Sequence, residues 1–110
     1  MTKEKRKEIK ETFNALEELL SQKDAVKSIV TTSKFLELFA RAKKFRTELC
    51  PQMLEENFVN DFYGYIENAI VAIEACVRVV GNAEYADNSQ EVIDRAKSKL
   101  RNVNDRLKGW

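Results

Sequence analysis

Glu67 and Glu74 are the two residues whose types and spacing come closest to chemistry. Seven apart, they share one face of a helix, and paired carboxylates are the usual material of a general acid and a general base. Arg78 follows Glu74 by four residues, the spacing of a helical ion pair, so the plainer reading of this group is a solvated surface network. Nothing else approaches an active site. The chain has no His, which removes Cys-His and Ser-His-Asp nucleophiles, relay of phosphate through histidine, and the Glu-x-x-His pairs of di-iron bundles. Its 2 cysteines, Cys50 and Cys76, cannot complete a zinc site by themselves and are too few for a disulfide scaffold, so both are expected as reduced thiols. Cys76 falls at the edge of an apolar face, where packing explains it, whereas Cys50 stands at a helix end before Pro51, open to modification. The 3 glycines, at 64, 81 and 109, are too scattered to build a phosphate-binding loop. These absences read as a chain that is not an enzyme and that uses no cofactor or metal.

The run RAKKFR, Arg41 to Arg46, is the best candidate for contact with nucleic acid, because basic side chains interleaved with an aromatic can meet phosphates and stack on bases. Placed on a helix with Phe45 directed inward, however, the charges surround the axis as a halo, which is what keeps a helix soluble. A nucleic-acid surface would need Arg41, Lys43 and Lys44 to act together with basic residues further on, such as Arg95 and Lys99. The net charge of +1 does not favour a polyanion or an acidic membrane as the main partner. Charge is nevertheless unevenly spread: residues 1–49 carry 12 basic and 8 acidic side chains, 50–88 carry 1 and 7, and 89–110 carry 6 and 3. Within one fold, the acidic residues Glu55, Glu56, Asp61, Glu67 and Glu74 would complement Arg46, Arg95, Lys99 and Arg106 of the basic flanks. Glu55 and Glu56 also suit the start of a helix, where the dipole favours negative charge.

The elements that must carry these residues are helical. With 110 residues, 3 Gly and 1 Pro, the chain is sized for a single domain, 1–110, and has few places for tight turns. Ile9, Phe13, Leu16 and Leu20 recur at spacings of four and three, predicting a first helix over 2–21 that Thr2 can cap. After the turn SQKD, a second helical region is predicted over 24–49, with Val26, Ile29 and Val30, then Phe35, Leu38, Phe39, Ala42, Phe45 and Leu49. Thr31, Thr32 and Ser33 compete for backbone hydrogen bonds there, so a kink or a fresh N-cap is expected between them. Pro51 ends that region and is suited to open a third helix, 51–80, which Gly81 stops. After NAEYADNS, Asn88 and Glu91 have the form of a capping box for a fourth helix. Val92, Ala96, Leu100, Val103, Leu107 and Trp110 form its stripe, and Gly109 ends it. Four helical segments with short connections predict an all-α, antiparallel up-and-down four-helix bundle.

The charged N-terminus MTKEKRKEIK leads into no apolar signal core, and Glu67, Glu74 and Arg78 interrupt the greasiest segment, so a soluble, cytoplasmic protein with no membrane partner is expected.

The third helix is unusual in being apolar on two sides. Phe62, Ile66, Ala69, Ile70, Ile73, Val77 and Val80 project within about 60° of one direction, the core face. On the far side lie Gly64, Tyr65, Asn68, Val71, Ala72, Ala75 and Val79, which a monomeric bundle would leave wet. The plain reading is that Ala favours helix and scattered surface valines are ordinary. The sharper one is an interface built from Tyr65, Asn68, Val71, Ala72, Ala75 and Val79, where small side chains admit a second backbone and each larger one buried contributes roughly 1.5–3 kcal/mol. A homodimer is its simplest form, because a two-fold axis uses one patch twice. The sequence thus points to a protein–protein interaction module, adaptor, regulatory or inhibitor-like, that self-associates through this face. A nucleic-acid-associated bundle using the basic residues above is the alternative.

Overall fold

The computed structural model describes residues 2–22, 30–49, 57–80 and 89–108, and the side chains within them except those of 57–61 and 89. Four α-helices occupy these ranges: α1 Lys3–Leu20, α2 Ser33–Leu49, α3 Asn57–Val80 and α4 Ser89–Leu107.

Local signals account for where these helices begin and end. Thr2, in extended geometry, caps α1: its hydroxyl accepts from the Lys5 amide at 3.1 Å, and its carbonyl accepts from the Arg6 amide, also at 3.1 Å. At the other end the Ser21 amide donates to the carbonyls of Glu17 and Glu18 at 3.0 and 3.3 Å, closing the last turn. The threonine cluster resolves into a fresh start. The Thr32 hydroxyl accepts from the Phe35 amide at 3.2 Å and its carbonyl from the Leu36 amide at 3.0 Å, so α2 begins at Ser33 with Thr32 as its cap. The expected segment over 24–29, the opening of the third helix at Pro51, its stop at Gly81, the Asn88 cap, Cys50, Gly109 and Trp110 lie outside the described residues.

Adjacent helices in sequence pack side by side, and α4 returns to α1, so the bundle closes in the cyclic order α1, α2, α3, α4, with α3 and α4 sharing the most extensive contact. Polar ties fix the antiparallel sense. Lys5 near the start of α1 reaches Glu48 near the end of α2 at 2.6 Å, and Arg106 near the end of α4 donates to the Tyr65 hydroxyl of α3 at 2.9 Å. The result is an all-α up-and-down bundle with principal extents of 43 × 21 × 20 Å.

One apolar cluster draws on all four helices, with Ile9, Phe13, Leu16 and Leu20 of α1 wholly buried, as their spacing predicts. On α2 the buried set is Phe35, Phe39, Ala42, Phe45 and Leu49, with Leu38 half-buried. On α4 Ile93 is buried and Val92 only half-buried, which turns the start of the expected stripe by one residue. Asn104, which the apolar pattern passes over, is also buried. Its Nδ2 donates to the Phe13 carbonyl at 3.1 Å and to Glu17 Oε1 at 2.7 Å, joining α4 to α1 through a polar contact across that seam. Its Oδ1 is buried without a hydrogen-bond partner among the described residues. An amide that must face one carbonyl and one carboxylate restricts how α4 can slide along α1.

Candidate functional site: the outer face of helix α3

The inner face of α3 buries Phe62, Ile66, Ala69, Ile70, Ala72, Ile73, Cys76 and Val80. Ala72 corrects the sequence-based expectation that it belongs to the outer face: it is 5 % exposed. The reason is the position of α4. Tyr65 stands seven residues before Ala72, on nearly the same side of the helix. Its ring lies under the Arg106 guanidinium of α4, with 4.6 Å from Cζ to the ring centroid, and its hydroxyl accepts from the same group. α4 therefore runs along that side and covers Ala72. Part of the small-residue stripe expected to receive a second chain thus serves the seam with α4, where small side chains let two helices approach closely. Val77 moves the other way and is half-buried.

Of the six proposed contact residues, Tyr65 is engaged with Arg106 and Ala72 is covered, while Asn68 and Val71 are exposed and Ala75 and Val79 half-buried. Val71 is 56 % exposed and, with Leu36 of α2 at 44 %, is one of two large hydrophobic side chains standing in water among the described residues. A Cβ built on Gly64 would meet nothing within 4 Å, so the surface is open there as well.

Charge on this face differs from expectation. Glu67, Glu74 and Arg78 are exposed. The i, i+4 pair of Glu74 with Arg78 is not formed, and none of the three makes an ion pair with a described residue. Nor do Glu67 and Glu74 find the basic side chains of the flanks: Arg95 pairs with Glu91 on its own helix at 3.6 Å, and Arg106 is directed to Tyr65. Complementarity among the described residues does not account for these two carboxylates. Glu55, Glu56 and the side chain of Asp61 lie outside the described residues.

The basic residues of the alternative reading do not converge. α2 and α4 occupy diagonal positions in the bundle, with α1 and α3 between them, so Arg41, Lys43 and Lys44 stand on one helix and Arg95 and Lys99 on another that is not its neighbour. Arg41 pairs with Glu37 at 3.5 Å, and Lys43 lies over the Phe39 ring at 4.7 Å while Lys44 is exposed. Phe45 is buried, so the halo form of this run is what the structure shows. A furrow of about 530 Å³ between α1 and α2 is rimmed by Lys5, Glu8, Glu11, Arg41 and Lys44, which mixes both signs of charge and holds no buried carboxylate pair.

Cys76 is fully buried on the inner face, and burial pushes its thiol up from an ordinary value of 9.0 to about 11, so it stays protonated at neutral pH. Among the described residues there is no group of three or more Cys, Asp or Glu able to hold a metal ion, and no helix long and apolar enough to cross a membrane. The chain matches no protein-family model, and no curated protein or solved structure matches it. Fold and surface together define a compact helical bundle whose outstanding feature is an open face on its most apolar helix.

Proposed function

We propose that the chain is a non-enzymatic protein–protein interaction module, adaptor, regulatory or inhibitor-like, that self-associates through the outer face of α3. One observation carries the reading: Val71, in the middle of α3, is 56 % exposed although the other large aliphatic side chains of residues 62–80 are buried or half-buried. Asn68, Ala75 and Val79 extend the surface around it. Use of thiols suits a cytoplasmic setting, since Cys76 is unpaired and buried.

Light scattering over a concentration series tests this directly. The wild type is expected to rise from monomer to dimer mass, and Val71→Glu or Ala75→Glu to remain a monomer with unchanged helicity. A wild-type mass that stays monomeric throughout would remove the reading. The alternative, a nucleic-acid-associated bundle, requires residues on two diagonal helices to serve one polyanion. Retention on heparin with steep salt dependence, lost on substituting Lys44 and Lys99, would favour it instead.

A further inference from the structure

We infer that the partner of α3 is an antiparallel second copy of α3, centred between Ala72 and Ile73 and locked by reciprocal ion pairs between Glu67 of each chain and Arg78 of the other. This rests on the self-association reading and specifies its geometry. At about 100° per residue, Glu67, Val71 and Arg78 fall within about 40° of one another around the helix. They form one open stripe, with both charged groups on the same edge of it. Glu67 and Arg78 are separated by three turns, about 16 Å along the axis, and carry opposite signs. Both are exposed, and neither makes an ion pair within the chain among the described residues.

Reversal of direction makes this stripe complementary to itself. A two-fold axis perpendicular to the helix pair sets 67 of each chain opposite 78 of the other, and it keeps both on the same edge of the interface, so two ion pairs form at once. The two Val71 side chains then lie about 4.5 Å apart along the axis near the centre, where each can cover the other. Parallel pairing would set Glu67 against Glu67, Glu74 against Glu74 and Arg78 against Arg78, repelling at every charged position, whereas the antiparallel register leaves a single like-charge pair, the two Glu74 about 4.5 Å apart along the axis, against two attractive ones. An isologous contact closes after two copies, which suits a single open helix face on a chain of this size. Gly64 and Ala75 keep the stripe low enough for a second helix to approach.

The test is a charge-reversal cycle read by sedimentation equilibrium. Glu67→Arg alone and Arg78→Glu alone should each weaken the dimer, by about 5- to 30-fold for two exposed pairs. The double variant, Glu67→Arg with Arg78→Glu, should return to within about 3-fold of the wild type. Both side chains are solvated, so helicity by circular dichroism should stay constant across the cycle. Dissociation by Val71→Glu together with a double variant no tighter than the singles would overturn this register and leave the self-association reading in place. A wild type that is monomeric throughout, or a dimer indifferent to Val71→Glu, would overturn both.

Discussion

Ile70 and Val71 are neighbours in the chain and strangers in the fold. Ile70 is wholly buried among the other helices, and Val71, about 100° further round, is 56 % exposed. On the inner face every large apolar group among the described residues has found others within the chain, and the small residues Ala69, Ala72 and Cys76 are buried as well. On the outer face three charged side chains and a valine have no such partners among the described residues. The lesson is that an apolar composition on both sides of a helix does not by itself mean two packing surfaces within one chain. What separates the sides is the path of α4, which covers Ala72 and leaves Val71 open.

The largest expected effect comes from breaking the inner side. Ile70→Ala should lower the free energy of unfolding by about 2–5 kcal/mol in a urea titration, whereas Val71→Ala should change it by no more than about 0.5 kcal/mol for the monomer. Equal losses at the two positions would erase the distinction between the faces. A second effect sits at the same buried surface. The Cys76 thiol titrates at about 11 when folded against 9.0 otherwise. Its contribution is complete below pH 9 and is lost as pH rises toward 11, because the unfolded chain deprotonates first. The fall should be on the order of 2–3 kcal/mol, seen as a steeper decline in stability above pH 9 in the wild type than in Cys76→Ala.

Asn104→Ala probes a polar contact of the interior. Losing the bonds to Phe13 and Glu17 should cost about 1–2 kcal/mol, moderated because Oδ1 no longer stays buried without a partner. The smallest effect has the opposite sign. Gly64 lies within α3 with nothing near its missing Cβ, so Gly64→Ala should stabilise the monomer by about 0.5–1 kcal/mol in a thermal melt.

Much of this architecture was legible in the residues. The stripe Ile9, Phe13, Leu16, Leu20 is an unbroken helical period, and its four members are wholly buried. Thr2 and the cluster Thr31, Thr32 and Ser33 announced helix starts through hydroxyls able to accept from amides three residues on, and Thr2 and Thr32 do so. The outer face was legible only as a composition. Helical spacing shows which residues share a side, but the direction from which a neighbouring helix approaches depends on contacts distant in sequence, and this decided Tyr65 and Ala72. The same dependence chose Ile93 over Val92, since either continues a spacing of three or four into Ala96. Asn104 was missed because an amide reads as polar, although it lies four residues after Leu100 and three before Leu107, in register with the core. The expected Glu74–Arg78 pair failed for a different reason: spacing permits such a pair, but two solvated side chains gain little by forming it.

The most direct test of the central claim is the mass of the wild type and of Val71→Glu by light scattering, measured side by side from micromolar to millimolar concentration. The outer face of α3 as a docking surface predicts a wild type that climbs to twice the chain mass of 12.7 kDa and a variant that stays at the monomer with the same helicity. Superimposable curves for the two proteins would contradict it.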